Sequence, residues 1–231
     1  MNFLSEGFTQ ALGLLLTLDP ETFAAVRATV VSTAYAMTAA LLLGLPCGFI
    51  LGYCEFPGRR FLRLISDTLL AFPTVLIGLL VYAFISRRGL LGDYGLLFTL
   101  GGMAVGQAIL ALPIMISLTA QAVESLDARC RQTLLTLGAA GWQVALATIC
   151  ELRFAVTMIA VTAFGRVITE VGIAMMLGGN IKWETRTITT AIALETSKGE
   201  FAQGIALGLV LLIMAFAVNA TLTVLRRRGR A

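Results

Sequence analysis

Two charged side chains interrupt an otherwise apolar stretch of the sequence, residues 154–181. Arg166 and Glu170 are four residues apart, so on one helix they would share a face and form an ion pair. A charge at membrane depth costs about 3 kcal/mol on insertion scales, so both side chains should face protein or water rather than lipid. Two interpretations follow: a structural link between helices, or a pathway element that biases a gate or meets an anion.

A glycine-rich turn and a polar stretch follow this pair. The Leu-Gly-Gly-Asn sequence at residues 177–180 predicts a turn that ends the apolar stretch, since glycine and asparagine are frequent turn residues. Together with the ion pair, the candidate pathway or gating residues are Arg166, Glu170, Gly178, Gly179, Asn180, Thr185 and Arg186.

Residues 124–151 form the only long amphipathic, charged stretch inside the apolar sequence. The Gly-Ala-Ala-Gly sequence at residues 138–141 predicts a tight turn that divides the segment into two short helices. A polar helical hairpin between two membrane spans is well placed to dock onto a soluble protein. An ordinary hairpin on the cytoplasmic side is the alternative.

The composition places these elements in a membrane. The 231 residues are 58% hydrophobic and only 13% charged, with a mean hydropathy of +0.90. A soluble domain carries about a quarter charged residues, so the chain is predicted to be an all-α integral membrane protein forming one transmembrane domain, residues 1–231. Residues 1–23 contain an apolar run too short to cross and predict an interfacial helix. Five transmembrane helices are predicted within a core at 28–225, over residues 28–54, 68–86, 94–123, 154–181 and 201–225.

The arginines predict the orientation of these spans. With five spans, the connection between spans one and two, the segment 124–151 and the C-terminal tail lie on one side, and these carry most of the arginines. Positive charge accumulates on the cytoplasmic side, so the N-terminus is predicted outside and the C-terminus inside. The net charge of +4 is then a consequence of topology, and no nucleic-acid partner is expected.

The sequence lacks the residues that several kinds of chemistry require. It contains no histidine, and its four cysteines form no CxxC pair, so neither a metal site nor histidine-based catalysis is predicted. It also lacks the GxxxxGK[ST] phosphate-binding loop. We therefore expect no catalytic residue and no cofactor in this chain, and any ATP hydrolysis would take place in another subunit.

The segment 124–151 resembles the EAA loop of ABC-importer permeases, which docks into a groove of the ATPase. Leu137-Gly138-Ala139 and Trp142 fit that pattern, whereas Gln132-Thr133-Leu134 stands where the family has Glu-Ala-Ala, and Cys150-Glu151 where it has Leu-Pro. The resemblance implies that ATPase coupling involves Gln132, Leu137, Gly138, Ala139, Ala140, Gly141 and Trp142.

A second resemblance covers about residues 25–225 and concerns the permeases of oxyanion ABC importers, the molybdate/tungstate group. Phe164-Gly165-Arg166, Glu170-Val171-Gly172, Gly178-Gly179-Asn180-Ile181 and Thr185-Arg186 match that group. The run from Thr189 to Gly199 is similar to the tungstate permeases specifically.

These resemblances imply the permease subunit of an importer for a tetrahedral oxyanion, most specifically tungstate, in a bacterial or archaeal cytoplasmic membrane. The implied partners are membrane lipid, a second copy of the chain, a cytoplasmic ABC ATPase dimer that holds ATP and Mg, and an external oxyanion-binding protein. Molybdate or sulfate as the transported anion is the alternative within this class. An ATP-independent channel or secondary transporter, and a non-transporting membrane scaffold, are the alternatives from other classes.

The predicted topology can be tested with single cysteines in a variant whose native cysteines are replaced by serine. An impermeant thiol reagent added outside intact cells should label a cysteine at position 3. A cysteine at position 229 should stay unlabelled until the membrane is opened. The reverse pattern would place the segment 124–151 outside, away from any ATPase.

Overall fold

The protein is represented by a computed structural model that describes residues 8–9, 13, 19–126 and 136–228. Within these residues all regular structure is helical. The helices are α1 Pro20–Tyr53, α2 Arg59–Leu69, α3 Thr74–Ile85, α4 Leu100–Glu124, α5 Gly141–Ile168, α6 Gly172–Gly178, α7 Ile188–Ser197 and α8 Phe201–Arg228, with a 3₁₀ turn at Gly92–Tyr94 before α4.

Four of these helices, α1, α4, α5 and α8, are long and apolar enough to cross a membrane. Helices α2 and α3 would add a fifth span if they cross as one unit, although the chain bends by 103° between them. The described residues therefore contain four or five candidate spans. Helix α3 has 12 residues and a length of about 18 Å, which is shorter than a hydrocarbon core of about 30 Å.

Helices α1 and α4 are in backbone contact along a stripe of glycines. A Cβ atom on Gly44 would lie 2.6 Å from Met115 Cβ, and one on Gly48 would lie 2.7 Å from the Ile116 carbonyl oxygen. One on Gly52 would lie 2.7 Å from the Ala120 carbonyl oxygen. The contacts advance along both helices in the same direction, so α1 and α4 run parallel. Small residues at this spacing let two helix backbones approach closely.

Three apolar clusters pack the helices around this pair. One joins α1, α4 and α5 through small residues such as Ala40, Ala111 and Ala163. A second joins α3, α4 and α6 around Met103 and Leu177. A third, smaller cluster joins α1, α7 and α8. Helices α3 and α6 are thus held against α4 on a different side from α5.

Local residues explain where several helices begin. The Asp19 carboxylate accepts the Thr22 N–H at 2.8 Å and Pro20 occupies the first helical position, so α1 has both preferred features of an N-terminus. Thr99 Oγ1 accepts the Gly102 N–H at 3.1 Å at the start of α4. Thr187 Oγ1 accepts the Thr190 N–H at 3.3 Å at the start of α7.

The structure corrects several predicted boundaries. The predicted span 154–181 is not continuous, because α5 ends at Ile168 and α6 begins at Gly172. The predicted span 68–86 contains the bend between α2 and α3, and the span predicted from residue 94 begins at Leu100. In the predicted interfacial helix, residues 20–23 already belong to α1, and most of the earlier residues lie outside the described part.

The glycine stripe predicts a marked difference between two glycine-to-alanine substitutions. Gly48→Ala should lower the stability of the protein by about 1–3 kcal/mol, because its Cβ would collide with the α4 backbone. Gly208→Ala is the matched control on α8, since no heavy atom lies within 4 Å of its Cβ position. Thermal unfolding of the detergent-solubilised protein should show a lower Tm for Gly48→Ala alone. Equal midpoints would contradict the close contact.

Candidate functional site

The break between α5 and α6 is organised by a buried carboxylate. Glu170 lies beyond the end of α5, not on it as predicted, and its side chain is only 5% exposed. Its Oε1 accepts the N–H groups of Gly172 at 3.0 Å and Ile173 at 3.4 Å, which are unsatisfied donors of the first turn of α6. Its backbone carbonyl accepts the Thr189 hydroxyl at 3.1 Å. Glu170 therefore joins α5, α6 and α7.

The predicted ion pair between Arg166 and Glu170 is present. Arg166 Nη1 donates to Glu170 Oε2 at 2.9 Å, and the arginine side chain is 44% exposed. The Arg166 side chain makes no other hydrogen bond or ion pair within the part of the chain that the structure describes. The two partners are therefore unequal, because the carboxylate is buried and accepts three hydrogen bonds, while the guanidinium is 44% exposed and donates through one nitrogen.

The predicted glycine turn lies at the C-terminal end of α6, against the start of α4. Gly179 has a φ of +69°, and a Cβ atom there would lie 2.7 Å from the Phe98 ring, so both the backbone conformation and the space require glycine. Asn180 follows at φ +51°, a conformation that asparagine tolerates. The Thr185 hydroxyl donates to the Gly178 carbonyl and accepts the Ile181 N–H at 3.1 Å. These residues hold the loop in one shape.

Arg186 connects this loop to the start of α1. Its Nη1 donates to Glu21 Oε1 at 2.6 Å and its Nε to Asn180 Oδ1 at 3.2 Å, while Lys182 Nζ lies 2.7 Å from Glu21 Oε2. A cavity of about 380 Å³ beside Arg186 is also lined by Asp19, Glu21, Glu195 and Glu200. Carboxylates outnumber the arginine there, so the cavity is a poor receptor for an anion.

The predicted coupling segment, residues 124–151, is described at residues 124–126 and 136–151. Gln132 lies outside the described residues. Gly138 has a φ of +85° with no heavy atom within 4 Å of its Cβ position, which confirms the turn. After it, Ala139 and Ala140 lead to Gly141, where the 28-residue α5 begins, so the second short helix predicted here is the start of a span. Leu137 and Trp142 flank the turn with exposed fractions of 78% and 66%.

A charged network joins α2 and α4, and it was not predicted from the sequence. Arg59 Nη2 donates to Glu124 Oε1 at 2.8 Å, and Arg63 Nη1 donates to the Ser117 carbonyl at 2.7 Å. The Asp67 carboxylate accepts the Ser117 hydroxyl. The available signal was the i, i+4 spacing of Arg63 and Asp67, which puts them on one face of a helix. The polar face of α2 thus points at α4, and its apolar residues are exposed.

Among the described residues, no three histidine, cysteine, aspartate or glutamate side chains are grouped so that they could hold a metal ion. The described residues offer charge, hydrogen bonding and shape. The two distinctive features among these residues are the Arg166 guanidinium, which is bonded through only one of its three nitrogens, and the exposed apolar turn around Gly138.

Comparison with known proteins places these features in a family. Residues 44–230 match the family described as the binding-protein-dependent transport system inner membrane component. The chain is 48% identical to the tungstate uptake system permease protein of Campylobacter jejuni, an alignment that covers 95% of this chain and 92% of that one. The corresponding permease of Peptoclostridium acidaminophilum is 37% identical, covering 96% and 97%.

The fold has a solved counterpart as well. A crystal structure of a bacterial ABC transporter involved in the import of the acidic polysaccharide alginate matches with a TM-score of 0.71 and 18% identity, covering 93% of this chain and 82% of that one. At that identity the match shows the fold alone. The chain is a multi-pass membrane protein, and it belongs to the family of binding-protein-dependent transport system inner membrane components.

Two substitutions at Glu170 should separate its roles in stability. Glu170→Gln keeps an oxygen that can accept the α6 N–H groups, whereas Glu170→Leu leaves those buried donors without a partner. We expect Glu170→Leu to be less stable than Glu170→Gln by about 2 kcal/mol, measured by thermal unfolding in detergent. Equal stability of the two variants would show that only the charge of the carboxylate matters.

Proposed function

We propose that the chain is the permease subunit of an ATP-driven importer that carries tungstate across the cytoplasmic membrane. The observation that carries this proposal is the 48% identity to a tungstate uptake permease over nearly the whole of both chains. The fold supports it, since the chain superimposes over 93% of its length on an ABC importer subunit. In this proposal an external binding protein delivers the anion, and the permease provides the pathway.

The proposed topology has five spans, with α2 and α3 crossing together as one bent span. The parallel arrangement of α1 and α4 supports this count, because an odd number of crossings must separate two spans that run the same way, and the α2–α3 pair supplies one. Charges of the α2–α4 network would then lie at the cytoplasmic end of α4, and the Arg186–Glu21 network at the external end of α1. The N-terminus is external and the C-terminus cytoplasmic, as the arginine distribution predicts.

Two copies of the chain would form the pathway. In the single chain, apolar side chains remain exposed along long stretches of α5 and α8, including Ile149, Met158, Leu212 and Phe216. Lipid covers part of such surfaces. Five spans are nevertheless few to enclose a gated route for a hydrated anion, and a homodimer doubles that number. A homodimer with cyclic symmetry is also the commonest arrangement of identical subunits.

Coupling to the ATPase is assigned to residues 137–142. Leu137 and Trp142 present apolar surface on either side of a turn at the proposed cytoplasmic end, and exposed apolar residues of this kind mark protein interaction sites. Because α5 begins at Gly141, a displacement of the turn would act directly on a span that reaches Arg166. ATP and Mg would bind in the ATPase subunits, and this chain would bind neither.

The function is tested by reconstitution of the permease with its ATPase and binding protein in vesicles. ATP-dependent uptake of labelled tungstate is expected, with weaker competition by molybdate and little by sulfate. Uptake of molybdate or sulfate in preference to tungstate would reassign the anion. Anion flux without ATP would favour a channel or a secondary transporter.

Substitutions at Gly138 test the coupling assignment. Gly138→Arg should leave the chain inserted and dimeric but abolish ATPase binding or stimulation, because a bulky cation would occupy the docking surface in a backbone conformation unsuited to it. Gly138→Asn is the matched control, since asparagine tolerates positive φ, and it should retain most of the activity. Binding of the ATPase and tungstate uptake per assembled complex are the measurements. Normal uptake by Gly138→Arg would show that the turn is only a connector.

A further inference from the structure

Two interrupted spans meet at one point in the structure. The first interruption is the bend at residues 70–73, between α2 and α3, and the second lies at residues 169–171, between α5 and α6. A Cβ atom on Gly172 would lie 3.6 Å from Val75 Cγ2 and 3.8 Å from Thr74 Oγ1. The first residue of α6 therefore packs against the first turn of α3.

The dimensions of α3 place this junction near the middle of the membrane. Its 12 residues span about 18 Å, and its far end at Ile85 packs with Met103 and Leu177, close to the outer ends of α4 and α6. In a hydrocarbon core of about 30 Å, the start of α3 and the break at Glu170 are then close to mid-depth. Arg166 lies one helical turn from that break.

Lipid cannot surround this junction. Backbone that is not helical is found at membrane depth only where protein buries it or where it lines a water-filled cavity. The exposed part of the Arg166 guanidinium has the same requirement, because charge at mid-depth must face protein or water. Phospholipid phosphates lie at the membrane surface, so they are remote from this guanidinium.

Arg166 and Glu170 have different roles in this arrangement: Glu170 positions its partners, and Arg166 has donors left for a ligand. The carboxylate accepts hydrogen bonds from Arg166 Nη1 and from the N–H groups of Gly172 and Ile173, so it positions the guanidinium and the start of α6. Nε and Nη2 of Arg166 have no partner within the described part of the chain. These two nitrogens form the edge of the guanidinium that binds two oxygens of an oxyanion side by side.

We infer that Arg166 is the residue that meets the transported tetrahedral oxyanion at mid-membrane, through its Nε–Nη2 edge, and that Glu170 is its positioning residue. This inference rests on the proposed function for the identity of the anion. Glu170 also compensates the charge of Arg166, so the anion meets a site that attracts it without holding it. Transport requires weak binding of the anion at this site, because a site along the pathway must release the anion that it binds.

The transport test compares two lysine substitutions on α5. Lysine retains the positive charge of Arg166 and its reach to Glu170, but it lacks the planar two-donor edge. Arg166→Lys should reduce tungstate uptake per assembled complex by about tenfold or more while ATPase binding is unchanged. Arg153→Lys is the matched control, an exposed arginine on the same helix that packs over Phe154, and should stay within about twofold of wild type. Wild-type uptake by Arg166→Lys would overturn the inference.

A labelling test separates this inference from the proposed function. In a cysteine-free background that retains Arg166 and Glu170, Thr169→Cys places a thiol beside Arg166, and this thiol should react with a hydrophilic thiol reagent. Tungstate should slow the reaction. A cysteine at the exposed apolar position Leu212 on α8 should react far more slowly. Equal slow reaction at both positions would overturn the inference even if the wild-type complex imports tungstate. Fast, tungstate-sensitive reaction of Thr169→Cys in a complex that imports no tungstate would refute the proposed function and leave the anion contact standing.

Discussion

A hydrocarbon core offers no hydrogen-bond partners, and this constraint governs each place where a helix of this protein is interrupted. At the α5–α6 break, the N–H groups at the start of α6 donate hydrogen bonds to the Glu170 carboxylate, and the Glu170 carbonyl accepts one from the Thr189 hydroxyl. The same carboxylate requires a cation, and Arg166 supplies it. One buried side chain thus fixes the direction of α6, the position of α7 and the orientation of the guanidinium.

The tightness of packing differs across the molecule, and the difference matches what a transporter needs. Helices α1 and α4 are in backbone contact at Gly48 and Gly52. There, neither helix can shift without losing packing contacts. Helices α3 and α6 instead meet through flexible side chains, with Met176 Sδ 2.7 Å from the Cβ position of Gly78. Methionine adapts to altered neighbours. The α1–α4 pair therefore suits a fixed frame, and the α3–α6 pair suits the part that rearranges.

Much of the fold was predictable because its signals are local. The apolar lengths predicted that α1, α4 and α8 exist, although α1 begins at Pro20 rather than residue 28 and α4 at Leu100 rather than residue 94. Glycine predicted the turns at Gly138 and Gly179, whose positive φ angles need it. The α5–α6 break was missed because Thr169, Glu170 and Val171 do not interrupt the apolar pattern enough to reveal three non-helical residues. A break of that kind depends on tertiary partners, and hydropathy does not register them.

The contacts that define the candidate site were less accessible to sequence reasoning. The i, i+4 spacing indicated that Arg166 and Glu170 would pair, and they do, although Glu170 lies beyond the helix. The spacing could not indicate that one partner is buried and the other half exposed. Glu21 and Arg186 are far apart in the chain, so only the folded arrangement of α1 and the loop before α7 brings them together.

The charge balance at mid-membrane bears on where selectivity can arise. Tungstate, molybdate and sulfate share a tetrahedral shape and a double negative charge, and a guanidinium edge recognises those two properties alone. A contact of that kind can favour oxyanions over cations and over uncharged solutes, but it has no means to separate members of the class. If Glu170 keeps the contact weak, the permease has still less binding energy with which to discriminate. If Arg166 is the contact, discrimination among the oxyanions belongs before the anion enters the membrane, in a site that can enclose it completely.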